Sequence, residues 1–106
     1  MYKGSLKAGT QLQVSFSCAQ TNNGTTAIVY MFMSDSNKPM PAPQMQFIAP
    51  GATLAKDFNV PKEAAACRIT IDLPDGGKGT LTVKQGTQNW SNTLTGDDSW
   101  FFDVQP

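Results

Sequence analysis

Between Gln11 and Gln20 the chain alternates strictly. Leu12, Val14, Phe16 and Cys18 fall on one side, and Gln11, Gln13, Ser15 and Ser17 on the other. Successive side chains of an extended backbone point to opposite faces, so this pattern makes a strand with one dry face and one wet face. The same period returns at Cys67, Ile69, Ile71 and Leu73, set against Arg68, Thr70 and Asp72. It returns again at Trp100, Phe102 and Val104 near the end. A chain made of such segments hides its dry faces by stacking one sheet on another.

The intervening residues punctuate these strands. Thr21-Asn22-Asn23-Gly24 ends in the Asn-Gly pair that supplies the positive φ angles of a tight hairpin. Thr26 to Ser34 is apolar on both sides: Ala27, Val29, Met31 and Met33 on one, Ile28, Tyr30 and Phe32 on the other. Such a strand is central, or its second face is covered. Pro39, Pro41 and Pro43 stand at every second position of Ser36–Gln44 and favour an extended loop, because proline has no amide to donate. Gln44–Ile48 and Ala52–Val60 read as two more strands, parted by Pro50-Gly51. Pro61 to Ala66 is the only helix-like stretch, and its length predicts at most one short helical turn near 61–66. Pro74-Asp75-Gly76-Gly77 turns the chain into a return strand with Leu81 and Val83, and Gly86–Pro106 reads as a hairpin around Gly96-Asp97-Asp98. The expectation is all-β: one antiparallel β-sandwich domain of about eight strands over residues 1–106.

A fold-level resemblance follows from particular positions. Cys18 closes the run Leu12-Val14-Phe16, and Tyr30 follows a dozen residues later. Leu54, Phe58 and Val60 come next, then Cys67 and the strand Gly79-Thr80-Leu81-Thr82-Val83. This order resembles the immunoglobulin-like β-sandwich over roughly residues 10 to 84. Tyr30 stands where that pattern has Trp, Ala65 stands where it has a corner tyrosine, and the residues beyond Val83 exceed it. The resemblance implies an immunoglobulin-like or jelly-roll sandwich and no particular activity.

Composition narrows the function. Charged residues are 15 % of the chain, below the roughly 25 % of an average soluble protein, with Thr, Ser, Asn and Gln in their place. That balance is typical of secreted, cell-surface or periplasmic β proteins. Met1 is followed by Tyr2-Lys3-Gly4-Ser5 rather than a secretory signal, which fits a mature N-terminus with an added Met, or else a cytosolic or viral protein. Eight basic residues offset eight acidic ones, so no net field draws the chain to nucleic acid, and no apolar run is long enough for membrane insertion. A net charge near zero favours association, including a homo-oligomer. There is no histidine, hence no usual general base and no Ser-His or Cys-His nucleophile. The expectation is a binding protein, not an enzyme, with no cofactor.

Several residues compete for the binding role. Trp90 sits among Gln88, Asn89 and Asn92, the pairing of an aromatic face with amides that a neutral sugar requires; the other reading folds Trp90 down over one end of the core. Trp100 shares phase with Phe102 and Val104 and is expected in the core. Cys18 and Cys67 both face inward, as an inter-sheet disulfide in an oxidising compartment or as two buried thiols. Met31 and Met33 fill the core, form part of an apolar partner surface, or join Met40 or Met45 from the proline loop as thioether ligands for Cu(I). Asp97 and Asp98 are turn residues or, less economically, calcium ligands. The leading expectation is a non-catalytic extracellular module that recognises a glycan or a protein surface. Its rivals are a self-associating surface or capsid-type subunit and a Cu(I) carrier.

Overall fold

The computed structural model describes residues 1–20, 27–35, 45–49, 53–73 and 78–106. Among them are nine strands: β1 (Tyr2–Lys7), β2 (Gln11–Gln20), β3 (Ala27–Asp35), β4 (Met45–Ala49), β5 (Thr53–Asn59), β6 (Ala64–Asp72), β7 (Lys78–Gln85), β8 (Gln88–Leu94) and β9 (Asp98–Gln105). They form a five-stranded sheet, β1-β9-β6-β3-β4, and a four-stranded sheet, β5-β2-β7-β8. The two dry faces meet in one core, which makes the chain the β-sandwich that the alternation predicts.

The phases read from the sequence decide what is buried. Leu12, Val14 and Phe16 of β2 and Leu81 and Val83 of β7 face Val29, Met31, Met33, Cys67, Ile69, Ile71, Trp100 and Phe102 across the core. Every pairing is antiparallel except β1 with β9, which run parallel at one edge. The sequence reading began at Gln11 and missed β1, whose one fully buried side chain is Leu6. A strand with one buried residue has no alternation to detect. It exists because the flank of β9 offers unpaired backbone groups.

Two further expectations are corrected. Pro61–Glu63 forms a tight turn, with the Ala64 amide donating to the Pro61 carbonyl at 3.2 Å, and Ala64–Ala66 already belong to β6 instead of a helical turn. Helix propensity yields here to the ladder that Ala66 joins opposite Ser34 and Asp103. The final hairpin is also absent. β8 turns back on β7 through Gly86, whose φ is +59°, and β9 crosses to the other sheet beside β6. Asp97 secures that crossing, since its Oδ1 accepts the Leu73 amide at 2.7 Å.

The corner between β1 and β2 is tied to β7 by a buried amide. Gln85 Oε1 accepts the Lys7 backbone amide at 2.7 Å, and Gln85 Nε2 donates to the Lys7 carbonyl at 2.9 Å and the Thr10 hydroxyl at 2.8 Å. Gln85 is the buried polar side chain of the described residues, and these bonds offset its desolvation.

Candidate binding face on the five-stranded sheet

The two outer faces of the sandwich differ in kind. On the four-stranded sheet the outward phase is hydroxyl and amide. Thr80 and Thr93 lie 3.3 Å apart, Thr82 and Ser91 3.0 Å, and Gln13 donates to Asp57 at 3.3 Å. On the five-stranded sheet the outward phase is mixed: Thr70 and Ser99 bring their hydroxyls to 3.0 Å, and beside them runs a row of aromatic residues. Register places Tyr2 beside Phe101, Phe101 beside Arg68, and Arg68 beside Phe32, so one row runs across β1, β9, β6 and β3. Tyr30 extends it along β3, its ring stacked on Phe32 at 6.3 Å between centroids.

Two of these rings are exposed and the two on β3 are half-buried. Tyr2 is 59 % exposed and Phe101 44 %, among the described residues the large apolar side chains most open to water apart from Met1. Arg68 lies over the Phe32 ring, its guanidinium carbon 4.5 Å from the centroid, and among the described residues that ring is its partner. The stack fixes the planar group against the sheet while its N–H donors stay available. Tyr2 donates its hydroxyl to Asp103 Oδ2 at 3.1 Å, which steadies the ring at the edge. Together Tyr2, Phe32, Ser34, Arg68, Phe101 and Asp103 line an open groove of about 550 Å3. That volume lies within the range of ligand and side-chain pockets.

The residues singled out in the sequence are dispersed. Trp90 is half-buried. Its ring meets Phe102 edge-on at 5.0 Å, and a Cβ at Gly4 would lie 3.0 Å from its Cζ2. Trp90 therefore wedges between β8 and β1 and closes the flank of the core. Gln88, Asn89 and Asn92 are exposed on the same strand, Gln88 beside a second, polar hollow with Lys7, Thr10 and Gln85. Asn89 points with Ser91 to the far side, away from the Trp90 ring. Trp100 is fully buried, as expected, with Lys3 Nζ 4.4 Å from its ring.

Cys67 is a free, buried thiol, so the Cys18–Cys67 bridge is not formed. Within their sheets the two positions have different neighbours: Cys67 of β6 lies between Met33 and Phe102, and Cys18 of β2 lies opposite Gly79. The side chain of Cys18 lies outside the described residues. Burial pushes the Cys67 thiol up to about 12, which makes it inert.

Met31 and Met33 are fully inside the core, on the side of the sheet opposite to the aromatic row. The β4 backbone at Met45 pairs with Met31, while Met40 and the Met45 side chain lie outside the described residues. Asp97 is occupied by the Leu73 amide and Asp98 by the Ser99 amide at 2.8 Å. Among the described residues no three His, Cys, Asp or Glu side chains gather as metal ligands.

The sequence reading missed Tyr2, Arg68 and Phe101 as site residues. One signal was present: Phe101 is an aromatic in the wet phase between Trp100 and Phe102. Tyr30 and Phe32 gave another, as the second apolar face of β3. That these fall in one row depends on which strands become neighbours. Comparison with known proteins returns no matching family model, no similar curated protein and no similar solved structure.

Proposed function

We propose that this chain is a non-catalytic binding module that engages a protein partner through the outer face of its five-stranded sheet. The observation that carries this is the row Tyr2–Phe101–Arg68–Phe32, in which Tyr2, Phe101 and Arg68 are exposed and Phe32 is half-buried under Arg68. Solvent-exposed rings in one contiguous patch cost hydration free energy unless something covers them. Tyr, Phe and Arg are also the residues that concentrate at the centres of protein interfaces. A glycan site built on Trp90 has less support, because that ring is engaged by Phe102 and Gly4. Absence of histidine from the sequence supports a non-catalytic role. The low charge content supports a secreted, cell-surface or periplasmic setting.

Arrays of glycans and of folded proteins, including this chain itself, test the proposal. Labelled wild type is expected to bind a protein feature and to lose it on Phe101→Asp, while Asn89→Ala binds as wild type does. Circular dichroism of each variant checks the fold. Binding that survives Phe101→Asp and disappears with Asn89→Ala would move the site to β8 and refute the proposal.

A further inference from the structure

We infer that the protein partner of this face is a second copy of the chain, packed face to face about a two-fold axis. The inference rests on the reading above that the aromatic row is the binding surface. What it adds is that the face carries its own complement.

Register pairs Arg68 with Phe101 and Ala66 with Asp103 on the neighbouring strands β6 and β9. These four residues share the outer face and mark the corners of a rectangle roughly 4.8 Å by 7 Å. Arg68 and Asp103 occupy one diagonal, and Phe101 and Ala66 the other. A two-fold axis lying between two such faces, along the Phe101–Ala66 diagonal, brings each Arg68 close beside Asp103 of the second copy, an offset the long arginine side chain spans. Both charge pairs form from one operation, which is the self-complementarity that an isologous interface needs. Phe101 then meets its own counterpart near the axis, where it loses the water it now contacts. Ala66, small and exposed, lets the backbones approach beside it.

The charges agree with a like partner. The described outer face carries Lys7 and Arg68 against Asp72 and Asp103, and the whole chain has a formal net charge of zero. A second copy therefore meets no net repulsion, whereas Arg68, whose partner among the described residues is the Phe32 ring, gains a carboxylate. Area sets the strength. Five strands at about 4.8 Å spacing and seven residues of length give roughly 24 Å by 23 Å, about 550 Å2 before side-chain relief. That is somewhat under the roughly 800 Å2 per partner of a standard interface. The dimer should thus be reversible and concentration-dependent.

Analytical ultracentrifugation from low micromolar to millimolar concentration tests this. Wild type is expected to pass from monomer to dimer. Arg68→Asp and Asp103→Arg each place like charges together twice per dimer and should weaken it about 100-fold. The double variant, Arg68→Asp with Asp103→Arg, re-forms both pairs in reverse and should dimerise again. If a charge variant fails to fold, Ala66→Cys in a Cys18→Ser background provides a separate route. A short bis-maleimide should couple two Ala66→Cys chains and leave Ser91→Cys chains, altered on the opposite face, uncoupled. Wild type that stays monomeric at millimolar concentration overturns the inference, as does a double variant no better than the single ones. In that event a foreign protein captured on the array and lost with Phe101→Asp would leave the binding face intact, so the two failures are distinguishable.

Discussion

At the scale of single residues, the sandwich is least forgiving where the backbone of one strand meets a core ring. Gly79 of β7 lies opposite Cys18 of β2, directly under Phe16. A Cβ built there would strike Phe16 Cζ and sit 2.7 Å from Cε2 and 2.9 Å from the Ser17 carbonyl oxygen. Phe16 is fully buried and has no room to withdraw. Gly79→Ala should therefore destabilise the fold by about 1–3 kcal/mol through overpacking, read as a drop in the urea midpoint. Gly96→Ala meets nothing within 4 Å and should leave the midpoint almost unchanged. Cys67 gives a second residue-scale expectation. Its folded thiol keeps the proton to about pH 12, whereas the unfolded thiol releases it near 9.0. Between those values the unfolded state binds fewer protons. Stability owed to this group is complete below pH 9 and falls as pH rises, by at most about 1.4 kcal/mol per unit. Urea midpoints of wild type and Cys67→Ala should differ by a constant amount below pH 9 and converge above it. A difference independent of pH through 11 would contradict the buried thiol.

At the scale of elements, the strands legible in advance were those with one face dry along their whole length. β2 runs over Gln11–Gln20 as the alternation demands, and β6 and β9 carry the phases of Cys67–Leu73 and Trp100–Val104. β1 and β8 were harder, since each contributes little to the core and its neighbours decide its path. Trp90 illustrates the reason. Polar residues on both sides suggest exposure, but the inward phase of β8 and the bare Gly4 backbone opposite let the ring seal the sandwich. Gln85 is the corresponding polar device at the β1–β2 corner. Gln85→Leu keeps the volume but strands the Lys7 amide beside an apolar group and removes one bond each from the Lys7 carbonyl and the Thr10 hydroxyl. Thr10 retains its own bond to the Lys7 carbonyl at 2.8 Å, which limits the loss. The expected cost is about 2–3 kcal/mol by chemical denaturation, with faster amide exchange at Lys7. An effect below half a kcal/mol would mean that water replaces the amide.

At the scale of the whole molecule, a sandwich with aromatic side chains in a row on only one of its two outer faces, among the described residues, has a direction. Nothing in the overall charge shows it, because the neutral total conceals where Arg68 and Asp103 stand. The amino-acid pattern by itself determined the fold class: period two makes strands, and strands with single dry faces must stack in pairs. It also determined which side chains of β2, β6 and β9 enter the core, since phase along a strand is a local property. Only the tertiary structure decided the order of strands, and with it the row Tyr2–Phe101–Arg68–Phe32, whose members come from both ends and the middle of the chain. It also kept Cys67 a thiol and sent β9 away from β8. The physical reason is common to all of these. Alternation says which face a residue takes, but the neighbour across the ladder is set by long-range hydrogen bonding and core packing between segments far apart in sequence, and no local period encodes that choice.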